Sequence, residues 1–161
     1  MPKYCANIDF LFTEVPLLDR FAAAAAEGFS AVEILFPYDT NAHALRKSLE
    51  RFGLSLAMIN GPPPNFTGGR RGFAATPGGE ARFQYDFRRA LRYADTLGAQ
   101  HLNIMAGLAH GDAAFETYLS NVKWAAQYAP ACKILLEPMN SIDFEGYFLS
   151  DFDLAVRALE D

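Results

Sequence analysis

Gly61-Pro62-Pro63-Pro64-Asn65-Phe66-Thr67-Gly68-Gly69-Arg70-Arg71-Gly72-Phe73-Ala74-Ala75-Thr76-Pro77-Gly78-Gly79 separates an apolar run, Leu54 to Asn60, from a long helical pattern, Glu80 to Leu97. Connections between a strand and the next helix usually take about two to six residues, so a long one in a compact domain is a working loop. It leaves the carboxyl end of its strand, and a second long loop, Pro138 to Leu149, leaves the end of the strand Lys133 to Glu137. The returns from helix to strand at Gly28, Gly53 and Gly98 are tight. Long loops on one face and short turns on the other are the pattern of a barrel with its site at the top.

Working outward, strands and helices alternate. Tyr4 to Phe12 reads as a strand, and Leu17 to Glu27, with five consecutive alanines, as a helix stopped by Gly28. Ala31 to Phe36 is a strand, Asn41 to Phe52 a helix closed by Gly53, and Leu54 to Asn60 a third strand. His101 to Ala106 supplies a fourth strand, Phe115 to Tyr128 a helix, Lys133 to Glu137 a fifth strand, and Asp151 to Leu159 a last helix with Asp151 as its capping residue. Strict alternation argues for an α/β fold with a parallel sheet of right-handed crossovers.

A doubly wound flavodoxin-like sheet accepts five such units, but its phosphate site wants a glycine-rich turn after the first strand. Phe10-Leu11-Phe12-Thr13-Glu14 has none. A (β/α)8 barrel runs to about 250 residues. The 161 residues, read as one domain from 1 to 161, would hold about five of its eight units, a truncated TIM-barrel type.

Composition narrows the function. Half the residues are hydrophobic (51%), enough to bury a core, and 14 Lys+Arg against 19 Asp+Glu give a net charge of -5 with no basic stripe. Nucleic-acid binding by electrostatics is not expected. No signal-peptide core and no run near the roughly 18 apolar residues of a membrane span is evident, which makes the cytoplasm the expected location. Cys5 and Cys132 sit among apolar neighbours and are expected to be reduced core thiols.

The chemistry concentrates at Ile134-Leu135-Leu136-Glu137-Pro138-Met139-Asn140, where an apolar strand ends in a carboxylate. Burial disfavours its charged form, so Glu137 needs a proton, a cation or hydrogen-bond donors. Metal or catalytic work is one answer; an ion pair with Lys133 or Arg157 is the other. Glu33, between Val32 and Ile34, is either support for a substrate site or half of a salt bridge. Asn140 is a candidate substrate-binding residue that either orients Glu137 or caps a turn, and Asn7 either touches substrate or satisfies backbone at a strand end. Arg70 and Arg71 lie among glycines and are either solvated loop charges or a guanidinium that closes on a carboxylate. His43, His101 and His110 lack ligand spacing, and Phe83-Gln84-Tyr85-Asp86-Phe87 reads as a packing stripe.

Asn7, Gly28-Phe29 with Val32-Glu33, Phe36-Pro37-Tyr38-Asp39, Arg71-Gly72 with Pro77-Gly78, Leu97-Gly98 and Leu136-Glu137-Pro138-Met139-Asn140 together resemble hydroxypyruvate isomerase, of the xylose isomerase-like barrels. The resemblance implies interconversion of hydroxypyruvate and tartronate semialdehyde through an enediol, in glyoxylate metabolism. It implies Glu137 as metal ligand and as one of two acid/base carboxylates, and a divalent cation, Mg2+ or Mn2+, stabilising the developing oxyanion. It implies Arg71 on the substrate carboxylate and places the remaining ligands and the second glutamate on strands six to eight, past Asp161. A 2-oxo-tetronate isomerase, a ketose 3-epimerase and a non-catalytic partial barrel are the alternatives, and self-association through unpaired strand edges is expected.

Overall fold

The computed structural model describes residues 3–62 and 71–160. The chain divides into two compact units, Met1–Asn60 with Leu91–Leu102, and Gly61–Ala90 with Asn103–Asp161. Of the long loop, residues 63–70, Arg70 among them, lie outside the described residues.

In the first unit, β1 (Ala6–Asn7), β2 (Ala31–Glu33) and β3 (Ser55–Leu56) form a parallel sheet in that order, with Ala6 opposite Val32 and Val32 opposite Leu56. The helices α1 (Leu17–Ala26) and α2 (Ala42–Phe52) connect them. Ala6, Ile8, Val32, Ile34, Leu56 and Ile59 from the strand side and Phe21, Ala24, Leu45 and Leu49 from the helices are all fully or almost fully buried. Each large side chain removed from water in this way contributes about 1.5–3 kcal/mol.

The first strand stops far short of the expected Phe12. Asn7 accepts the Asp9 N–H on its own Oδ1 at 3.0 Å, and the Phe10 and Leu11 N–H groups return to the Asn7 carbonyl, so the chain turns instead of extending. Cys5, expected in the core, precedes the shortened strand and is exposed, and Cys132 is only part-buried; no disulfide is formed among the described residues. The second strand also ends early, because the Asp9 carboxylate takes the Leu35 N–H at 2.6 Å.

The third expected strand divides at Ala57 into β3 and β4 (Met58–Asn60). Helix α2 starts at its Asn41 cap, whose side chain accepts from His43 and Ala44 N–H, and it ends at Gly53 with a left-handed φ of 64°. Asn41→Ala is expected to cost about 1 kcal/mol, read as a shift in the urea midpoint at unchanged slope.

The second three-stranded sheet runs β4-β5-β6, with β5 at His101–Asn103 and β6 at Ile134–Leu135. Helices α3 (Glu80–Leu97), α4 (Asp112–Tyr128) and α5 (Phe152–Glu160) follow the expected positions, α4 starting three residues before the expected Phe115. Asp151 caps α5 through a 2.7 Å bond from the Leu154 N–H.

In the second unit Phe83 and Phe87 of α3 pack edge-on against Trp124 of α4, which makes the aromatic run a packing stripe. Tyr85, in the same run, is 62% exposed.

Candidate functional site

In the second unit, Glu137 follows β6 and is half-buried. Asn103, the last residue of β5 and 1% exposed, donates from Nδ2 to Glu137 Oε2 at 2.8 Å. Among the described residues no cation pairs with Glu137; the salt bridges found there are Arg46–Glu50 and Arg82–Asp86. The expected alternative, an ion pair with Lys133 or Arg157, is not formed. Burial pushes the Glu137 carboxyl above the ordinary carboxylate range, and the Asn103 hydrogen bond pulls only part of the way back.

The segment after β5 is clamped from both sides. Gly72 forms an antiparallel bridge with Ala106, and Leu108 another with Tyr147. Ala75 N–H donates to the Ala106 carbonyl at 2.8 Å, and Phe148 N–H to the Gly107 carbonyl at 2.9 Å. Gly72 has φ +103°, and a Cβ there would lie 2.0 Å from the Met105 carbonyl oxygen. Only glycine lets the two backbones approach so closely. Asn121, buried in α4, adds a 2.9 Å bond to the Ala74 carbonyl.

That clamp fixes the neighbour of Arg71. The Arg71 guanidinium lies 4.0 Å from the Phe144 ring centroid, and Phe144 in turn meets the Tyr147 ring edge-on. Tyr147, 3% exposed, accepts the Ala106 N–H on its hydroxyl oxygen at 2.9 Å. Burial first, then the nearby Glu137 charge, push its phenol up to about 12 against the pull of the Ala106 N–H and Arg71. It is therefore neutral at physiological pH.

A cleft of ≈ 420 Å³ opens beside these groups, lined among others by His110, Phe144, Tyr147, Ser150 and Arg157. Glu137 does not line it. Arg157 instead sits 3.8 Å over the Phe115 ring.

Asn140 is exposed and spends its side chain on the turn, accepting the Ile142 and Asp143 N–H groups and donating to the Asp143 carboxylate. It makes no bond to Glu137 among the described residues, so of the orienting and turn-capping alternatives the turn-capping one is formed.

The first unit holds Asn7 and Glu33. Asn7 Nδ2 donates to Glu33 Oε1 at 2.7 Å while its Oδ1 takes the Asp9 N–H, so it both orients the carboxylate and closes the strand end. Tyr38, buried beside this strand layer, donates its hydroxyl to the Asn60 carbonyl. His101 uses Nδ1 on the Ala57 carbonyl at 3.0 Å, a structural bond.

Two residues escaped the sequence reading. Asn103 interrupts an apolar strand just as Glu137 does, and the same signal would have found it. Tyr147 sits in the long loop Pro138 to Leu149, where nothing in the sequence shows that Tyr147, Phe148 and Leu149 turn inward and are buried.

The expected divalent cation finds an incomplete donor set. Glu137 offers one carboxylate, a hard cation takes about six oxygens, and the described residues contain no group of three or more His, Cys, Asp or Glu able to hold a metal. They do not fit a whole metal site.

Residues 21–161 match the family described as xylose isomerase-like TIM barrel, and the chain belongs to that family. It is similar to a 2-oxo-tetronate isomerase of Cupriavidus necator, 45% identical over 95% of this chain and 61% of that protein. It is similar also to hydroxypyruvate isomerase of Escherichia coli, 34% identical over 100% of this chain and 65% of that protein. The crystal structure of an AP endonuclease, family 2, from Brucella melitensis superposes with a TM-score of 0.95 at 38% identity, over 99% of this chain and 64% of that one. The chain thus spans somewhat less than two thirds of the length of these relatives.

Proposed function

We propose that the chain serves an isomerase of small α-hydroxy-carbonyl acids, interconverting hydroxypyruvate and tartronate semialdehyde through an enediol, with Glu137 as an acid/base group. One observation carries the reading. A half-buried carboxylate at a strand end is held by a single amide donor, has no compensating cation among the described residues, and is biased toward taking up a proton. A structural carboxylate would be locked in an ion pair; this one is poised to accept and return a hydrogen ion.

In that reaction Glu137 removes a C3 proton from hydroxypyruvate and returns it at C2. Arg71, whose guanidinium lies over the Phe144 ring, binds the substrate carboxylate by bidentate donation. Asn7 and Glu33, bonded to each other within the first unit, are proposed by themselves as substrate-binding candidates. A Mg2+ or Mn2+ ion belongs to the proposal only as far as Glu137, which would be one of its ligands. Cytoplasmic location and self-association complete the proposal; no helix among the described residues is long and apolar enough to cross a membrane.

A second substrate, a 2-oxo-tetronate, is favoured by the higher identity to the Cupriavidus necator protein. The name of the Brucella melitensis structure points toward DNA instead. A net charge of -5 and the absence of a multi-carboxylate cluster among the described residues favour the small acid.

Parallel assays on hydroxypyruvate and 2-oxo-tetronate test the reading, and turnover of neither sinks it. Within them, Arg71→Lys is expected to raise KM about tenfold with kcat nearly unchanged, because a point charge replaces a planar fork. An unchanged KM would remove Arg71 from the substrate.

A further inference from the structure

We propose that Tyr147 is a further catalytic residue, donating its hydroxyl hydrogen to the substrate oxygen on which negative charge develops; the inference rests on the isomerase reading above. The phenol oxygen accepts the Ala106 N–H at 2.9 Å, which fixes its position but uses only its acceptor capacity. Its own hydrogen meets no acceptor among the described residues. Leaving a buried donor unused costs about 1–3 kcal/mol, yet the backbone holds this one rigidly. Leu108 bridges to Tyr147, Tyr147 N–H donates to the Phe144 carbonyl at 3.1 Å, and Phe148 N–H to the Gly107 carbonyl at 2.9 Å. An immobilised donor with a spare hydrogen is what a developing oxyanion requires.

Its surroundings say which oxygen. Tyr147 lies within electrostatic reach of both Glu137 and Arg71, and it lines the ≈ 420 Å³ cleft that Glu137 does not. It is therefore the residue common to the open space and to the two charged groups assigned to the reaction. As Glu137 takes the C3 proton of hydroxypyruvate, the C–H electron pair becomes the C2–C3 double bond and the carbonyl π pair moves onto the C2 oxygen. Tyr147 hydrogen-bonds that oxygen. The C3 hydroxyl proton then passes across the cis-enediol to the C2 oxygen and Glu137 delivers its proton to C2. Glu137 and Tyr147 both end as they began.

Tyr147→Phe in the full chain keeps the ring and removes the donor. We expect kcat to fall about 10²-fold with KM within about twofold, and the tyrosine ultraviolet difference spectrum produced by oxalate, a planar mimic of the enediolate, to disappear. A purely structural hydroxyl would lower the melting temperature and leave kcat per folded molecule and the oxalate spectrum alone, which would overturn the proposal. Absence of wild-type turnover overturns the isomerase reading and this proposal with it. Wild-type turnover with an unchanged kcat in the variant overturns Tyr147 alone.

Discussion

Glu137→Gln is expected to lower kcat by at least about 10³-fold while the fold stays intact, because the amide keeps the shape and the bond from Asn103 Nδ2 but cannot take a proton. Stability should move the other way. A carboxyl whose folded pKa is raised gives stability that is present below its unfolded pKa and is lost as pH rises through the folded value. At neutral pH the wild type therefore carries a penalty that the neutral amide removes. The variant should melt higher than wild type at pH 7, with the difference vanishing in acid. Thermal melts at several pH values together with kcat check both signs, and a variant that melts lower at pH 7 would mean that the carboxylate is a structural anchor.

The second large effect is Gly72→Ala. A Cβ at this position would lie 2.0 Å from the Met105 carbonyl oxygen and 2.6 Å from its carbon, and the residue holds φ +103°. Neither contact is to a flexible side-chain end, so the Gly72–Ala106 bridge must open. Combining left-handed strain with backbone overpacking, we expect a loss of roughly 3–5 kcal/mol in denaturant unfolding. Because Arg71 precedes the displaced residue, KM should rise in whatever protein remains folded. Gly28→Ala, where a Cβ meets nothing within 4 Å, provides the contrast: strain from φ +85° alone and a smaller loss. Equal losses at both positions would remove the close approach as the cause.

The strand-helix alternation is legible because its signals are local. Gly53 closes α2, Asn41 and Asp151 cap helices through their own side chains, and Phe83 and Phe87 repeat at helical spacing. Strand lengths are not legible, since they depend on which side chains capture backbone donors. Asn7 turning back on Asp9, and Asp9 taking the Leu35 N–H, end β1 and β2, the second through a contact 26 residues apart. Glu137 stands out because a carboxylate ending an apolar strand is visible in one dimension. Its partner Asn103 is 34 residues away, and Tyr147 reaches Ala106 across 41, so neither relation has any sequence period to announce it. Asn140 shows the opposite case: it lies close to Glu137 along the chain, yet the local Asx turn claims its side chain and it makes no bond to Glu137.

Proton transfer at Glu137 is the central claim, and hydrogen exchange reads it most directly. With hydroxypyruvate in D2O, proton NMR should show the C3 hydrogens washing out at a rate set by the protein, and Glu137→Gln should abolish that exchange although circular dichroism remains that of the folded chain. Exchange at the wild-type rate in the glutamine variant would contradict the account.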